Sequence, residues 1–97
     1  MATYVTLGKY TSQGITNIKE MSRRLEHNKE TIKSLGGDLK SFFLTLGRYD
    51  WVSVVEAADD ETATKIALAV SSRGAVTTET LRAFSEREAA RIVEELP

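Results

Sequence analysis

Polar and apolar residues alternate over positions 2–8 (Ala-Thr-Tyr-Val-Thr-Leu-Gly). That period of two predicts a strand with Val5 and Leu7 on one face and Tyr4 and Thr6 on the other. The period then changes. Ile18, Leu25 and Ile32 recur every seven residues, with Ile15, Met21 and Leu35 near the same stripe. This predicts an amphipathic helix running to about Leu35, with Lys19, Glu20, Arg23, Arg24, Glu26, Lys29 and Glu30 turned to water. Thr11 or Ser12 offers a capping hydroxyl at its start, and Gly36-Gly37 suits the positive φ of its end.

A second strand is predicted over residues 38–46, with Phe42, Leu44 and Leu46 on one face and Leu39, Phe43 and Thr45 on the other. Gly47-Arg48-Tyr49-Asp50 reads as a turn, after which residues 51–57 return as a third strand. There Val52 and Val54 oppose Trp51, Ser53 and Val55. Asp59-Asp60-Glu61 places acids where a helix dipole favours them, and Ala63, Ile66, Ala67 and Val70 form that helix's apolar face up to Arg73-Gly74. Residues 75–82 predict a fourth strand whose parity stays open: Val76, Thr78 and Thr80 face the helices, or Leu81 and Ala83 do. Ser85 with Glu88 forms a capping box that opens a short C-terminal helix, with Ala89, Val93 and Leu96 expected inward.

A central hairpin between two strand–helix crossovers selects an α+β, ferredoxin-like β-α-β-β-α-β layout plus a C-terminal helix, with an antiparallel four-stranded sheet. The length, 97 residues, fits a single domain over 1–97. The pattern assigns Val5, Leu7, Phe42, Leu44, Leu46, Val52 and Val54 to the helices. The other face then carries Tyr4, Leu39, Phe43, Trp51 and Val55, with Thr6, Thr45 and Ser53 between them. A free antiparallel face is normally polar, so five large apolar side chains there predict an interface. A second copy laid sheet to sheet covers it economically, giving a homodimer or a higher homo-oligomer. The competing arrangement folds the C-terminal helix across that face.

Composition narrows the chemistry. The net charge of −1 argues against a nucleic-acid binder. The charge is uneven: residues 1–48 carry eight Lys/Arg against four Asp/Glu, and residues 49–97 five against ten, which reads as two differently charged helical surfaces. No apolar run is long enough to span a bilayer, and the start shows no basic region leading into an apolar stretch. With no Cys, these features predict a cytoplasmic protein. The single His27 lies about 200° around the helix from Leu25 and is expected in water. One His and no Cys assemble no transition-metal site of the usual kind, and Asp59-Asp60-Glu61 lacks the spacing of a cation loop. No phosphate-binding or nucleophile-elbow motif appears, so no cofactor is expected.

The best polar cluster is Arg48, Tyr49, Asp50 and Trp51. It reads first as turn chemistry, with Gly47 giving backbone freedom and Asp50 an acceptor. Its functional reading is a cleft between subunits that takes a small molecule, with Arg48 for an anionic or carbonyl group and Tyr49 for hydrogen bonding. Tyr4, Asn17 and Arg82 are further ligand-binding candidates, and Lys19, Thr78 and Thr80 weaker ones.

Gly47-Arg48-Tyr49-Asp50, between an apolar strand and Val52-Ser53-Val54-Val55-Glu56-Ala57, resembles the signature of the GYD domain family. The resemblance extends to Thr11-Ser12-Gln13-Gly14-Ile15 with Asn17-Ile18-Lys19, to Leu35-Gly36-Gly37 and to Thr78-Glu79-Thr80-Leu81-Arg82-Ala83-Phe84. It implies a ferredoxin-like domain of the dimeric α/β-barrel type, in a bacterial and archaeal family without an established common activity. Gly47, Tyr49 and Asp50 take the signature positions, whereas Trp51 departs from the smaller residue the family pattern suggests. The leading expectation is a small-molecule-binding or assembly-forming homo-oligomer. A cofactor-free enzyme, by fold analogy with oxygenases and isomerases, and a regulatory partner of another protein stand beside it.

Overall fold

The computed structural model describes residues 1–97. The elements run β1 (Ala2–Tyr10), α1 (Ser12–Thr16), a 3-10 turn (Ile18–Glu20), α2 (Met21–Ser34), β2 (Asp38–Leu44), β3 (Trp51–Ala57), α3 (Asp60–Ser71), β4 (Val76–Ala83) and α4 (Glu86–Glu94). The sheet order is β2-β3-β1-β4, antiparallel at every junction. With α2 and α3 on one side, this is the ferredoxin-like α+β fold.

The first predicted helix is in fact two. Gly14 presses α1 against the start of β4, so closely that a Cβ there would lie 2.1 Å from the Ala75 carbonyl oxygen. Thr11 ties the same junction, donating from its N–H to Ala75 O at 3.0 Å and from its hydroxyl to Gly74 O at 2.6 Å. Asn17 then ends α1: its backbone N–H and side-chain amide both bond Gln13 O, at 3.1 and 3.0 Å. The chain has to re-aim there before α2 can lie along the sheet.

The predicted faces are reversed. Tyr4, Val55 and Ala57 form the core with Ile32 of α2 and Ala63 and Ile66 of α3, while Leu39 and Val70 pack against them. Trp51 is also buried beneath the helices, at 7% exposure. Tyr4, Leu39, Trp51 and Val55 therefore do not lie on a free face. The small residues of α3 leave height for aromatic rings below them. Trp51 lies flat on Gly8, where a Cβ would come within 1.9 Å of the indole, and it stacks with Phe42 at 5.7 Å between centroids. A bulge completes the reversal. Leu39 pairs with Val55 but Ser41 with Val54, so Lys40 is the extra residue. Leu39 and Phe42 thereby share the covered face, and Phe43, opposite Val52, is sent to the other.

That other face carries Val5, Leu7, Phe43, Val52, Val54 and Leu81, and no helix of the chain lies across it. In β4, Val76, Thr78 and Thr80 face the helices. The capping box of α4 is present, with Ser85 N–H donating to Glu88 Oε1 at 2.9 Å and Glu88 N–H to Ser85 Oγ at 3.1 Å. Val93 and Leu96 do not turn inward, however. They remain 62% and 66% exposed, because α4 makes scarcely any contact with the rest of the chain.

Candidate functional site

The strands of the hairpin end at Leu44 and resume at Trp51, leaving a six-residue loop that Thr45 N–H closes onto Asp50 O at 2.8 Å. Gly47 supplies φ +113° within it. Asp50 is a splice between strands. Its N–H bonds Gly8 O at 2.8 Å, and its carboxylate accepts the backbone N–H of Tyr10, also at 2.8 Å, where β1 runs beyond its partner β3. Tyr49 donates its hydroxyl to Glu79 Oε1 at 3.2 Å across β1, and Lys9 Nζ sits 5.6 Å from its ring. These contacts fasten the loop to β1 and β4. Arg48 stands exposed on that loop.

Tyr4 and Arg82 lie at the opposite end of the sheet, opposite one another across β1 and β4. The Tyr4 hydroxyl donates to Asp60 Oδ1 at 2.6 Å, and the Arg82 guanidinium lies over the rings of Tyr4 and Phe84, at 5.6 and 4.4 Å. The bond to Asp60 pushes the Tyr4 phenol above its usual range and burial adds to this, against the opposing charge of Arg82. The Tyr4 hydroxyl is thus engaged as a donor to Asp60. Asn17, at the end of α1, joins neither group. The six ligand-binding candidates accordingly fall in three places: Arg48, Tyr49 and Asp50 in the hairpin loop, Tyr4 with Arg82, and Asn17 apart.

Two features are not visible in the sequence pattern. One is the make-up of the open sheet face: an uncovered apolar face is expected, but the alternation assigns its actual residues to the core. Lys9 and Glu79 rim it at one end and Glu56 at the other. The second is a cavity of about 90 Å3 between the sheet and α2–α3, apolar over most of its wall, with Arg24, Asn28 and the hydroxyls of Tyr10, Thr6, Ser53, Thr78 and Thr80 supplying polar groups. This cavity lies on the covered side of the sheet, away from the open face. No group of three or more His, Asp or Glu side chains is placed to hold a metal ion, and no helix is long and apolar enough to cross a membrane.

The family model described as GYD domain matches residues 4–93. The chain is 38% identical over 85 residues to a Thermus thermophilus protein named glutamine synthetase and cystathionine beta-lyase binding protein, covering 87% of this chain and 90% of that one. The crystal structure of TTHA0845, also from Thermus thermophilus, is similar at a TM-score of 0.57 and 25% identity, covering 88% of this chain and 95% of that one.

Proposed function

Because the chain belongs to the GYD domain family, we propose that it is a self-associating protein-binding module that docks on a metabolic enzyme. The observation that carries this is the open sheet face. Val5, Leu7, Val52 and Val54 form its centre, with Phe43 60% and Leu81 45% exposed beside them. Four strands of about eight residues present a flat area of roughly 500 Å2 at ordinary strand spacing. A second copy of the same face, joined by the exposed apolar side chains of Phe84 and α4, approaches the roughly 800 Å2 per partner of a standard interface. The rim carries both charge signs, as Lys9 and Glu79 show, which suits a self-complementary contact.

The enzyme partner is inferred from the Thermus relative, whose printed name describes binding to glutamine synthetase and cystathionine beta-lyase and whose likeness spans nearly the whole of both chains. A cytoplasmic location goes with that reading. The test has two arms. Sedimentation at micromolar concentration is expected to give at least a dimer for the wild type and a folded monomer for Val54→Lys. Purified glutamine synthetase or cystathionine beta-lyase from the same host is expected to bind the wild type in a titration. A monomeric wild type overturns self-association, and failure to bind both enzymes overturns the docking role.

A further inference from the structure

The cavity on the covered side of the sheet has a chemistry of its own. Its wall is built from side chains such as Leu25, Ile32, Trp51, Val55 and Ile66, and no Asp or Glu borders it. Two polar groups there lack partners within the chain. The Tyr10 hydroxyl is buried and no donor or acceptor of the protein reaches it. A buried hydroxyl left in that state costs on the order of 1–3 kcal/mol, so its retention points to something that completes it. Arg24, half-buried on α2, borders the same cavity and enters no ion pair or hydrogen bond within the chain.

Its neighbours are occupied. Arg23 pairs with Glu20 at 2.7 Å, and Arg73 bonds the Asn28 side chain and Thr31 Oγ1. Arg24 and Asn28 also line a shallow outer cleft with Arg23, His27 and Arg73, so the polar end of the cavity adjoins a basic approach. The Arg24 charge is felt at the Tyr10 phenol, where it opposes the upward push of burial and of the Asp50 carboxylate.

We propose that this cavity binds a small aliphatic carboxylate, with its oxygens held by the Arg24 guanidinium and the Tyr10 hydroxyl and its carbon chain enclosed by the apolar wall. Size and charge set the class. A volume of about 90 Å3 lies well below the 300–1,000 Å3 of drug-sized sites, so the chain is short. A guanidinium with free donors and a hydroxyl suit two carboxylate oxygens. The lack of any acidic wall residue leaves an ammonium without a partner, which disfavours amines and amino acids. The site lies beneath the face opposite the proposed dimer surface, so its test is independent of self-association.

Trp51 is the only tryptophan and borders the cavity, so its fluorescence reports occupancy directly. Titration with isovalerate is expected to give a saturable change, with isoamylamine and leucine at least about tenfold weaker, the scale of one charged hydrogen bond. Arg24→Gln is expected to weaken isovalerate about tenfold and Tyr10→Phe about threefold, the latter losing a single hydroxyl contact. Arg23→Gln, outside the cavity, is expected to bind as the wild type does. No saturable response to isovalerate in Trp51 fluorescence and thermal shift overturns the proposal. So does equal binding of isovalerate and isoamylamine, or undiminished binding by both Arg24→Gln and Tyr10→Phe.

Discussion

The two faces of the sheet are both apolar, yet they are built differently. The covered face mixes aromatic rings with small and hydroxylated residues: Tyr4, Trp51 and Phe42 stand among Gly8, Ser53, Thr6 and Thr80. The open face is a more uniform set of Val5, Leu7, Val52, Val54, Phe43 and Leu81. Counting apolar residues does not distinguish them. What decides is the fit to the helices, because rings need the shallow Ala63 and Ala67 side of α3 above them and bare backbone below. A more even, valine-centred surface suits a flat partner such as another sheet.

The largest expected effect tests which face is the core. Trp51→Ala removes a buried indole and is expected to cost about 3–5 kcal/mol in denaturant unfolding. Phe43→Ala, on the open face, is expected to change the unfolding free energy of the monomer by less than about 0.5 kcal/mol. In the self-associated protein it should also weaken the rise of the melting midpoint with concentration. Equal costs at the two positions would break the distinction between the faces.

A smaller effect tests how the covered face is assembled. Gly8→Ala places a methyl group where the indole already lies. Overpacking of this kind costs about 1–3 kcal/mol. In a Trp51→Ala background the same substitution is expected to cost much less, and that coupling identifies the indole as the cause. An equal cost in both backgrounds would assign the loss to the β1 backbone instead.

The elements were legible because their signals are local. Alternation marked the strands, Asp59 and Ser85 marked helix starts, and Gly36 and Gly74 marked ends with positive φ. The faces were not legible, because tertiary facts set them. The bulge at Lys40 flips the parity of β2 within one strand, and nothing in Asp38-Leu39-Lys40-Ser41 announces it. Gly8 opposite Trp51 was a usable signal, since a glycine within a strand pattern often marks a close approach. At the candidate sites, the contact of Tyr4 with Arg82 depends on register between strands that lie far apart in the chain. The charge of Arg24 assigns it to the solvated side of its helix in the sequence pattern. Arg24 instead flanks the Met21, Leu25, Asn28 and Ile32 stripe of α2 and borders the cavity with it.

The smallest expected effect is a pH dependence, and it separates a helix that covers a face from one that does not. Asp59 caps α3, with its carboxylate accepting the Thr62 N–H at 2.9 Å and the Thr62 hydroxyl at 2.8 Å, and these bonds hold its carboxyl below the usual range. A carboxyl lowered by folding adds stability above its unfolded value and loses it as the pH falls through the folded one. The contribution should therefore be intact at neutral pH and vanish progressively below about pH 4. Asp59→Asn keeps an acceptor but removes the titration, so its melting midpoint is expected to fall less steeply with acid than that of the wild type. Glu88 is lowered in the same sense by the Ser85 N–H, yet it caps α4, which packs against almost nothing in its own chain. Glu88→Gln is therefore expected to alter the acid slope of the monomer less than Asp59→Asn does. If the two substitutions flatten the slope equally in the monomer, α4 is packed in solution. If they do so only where the protein self-associates, the layer that α4 secures is supplied by the second copy.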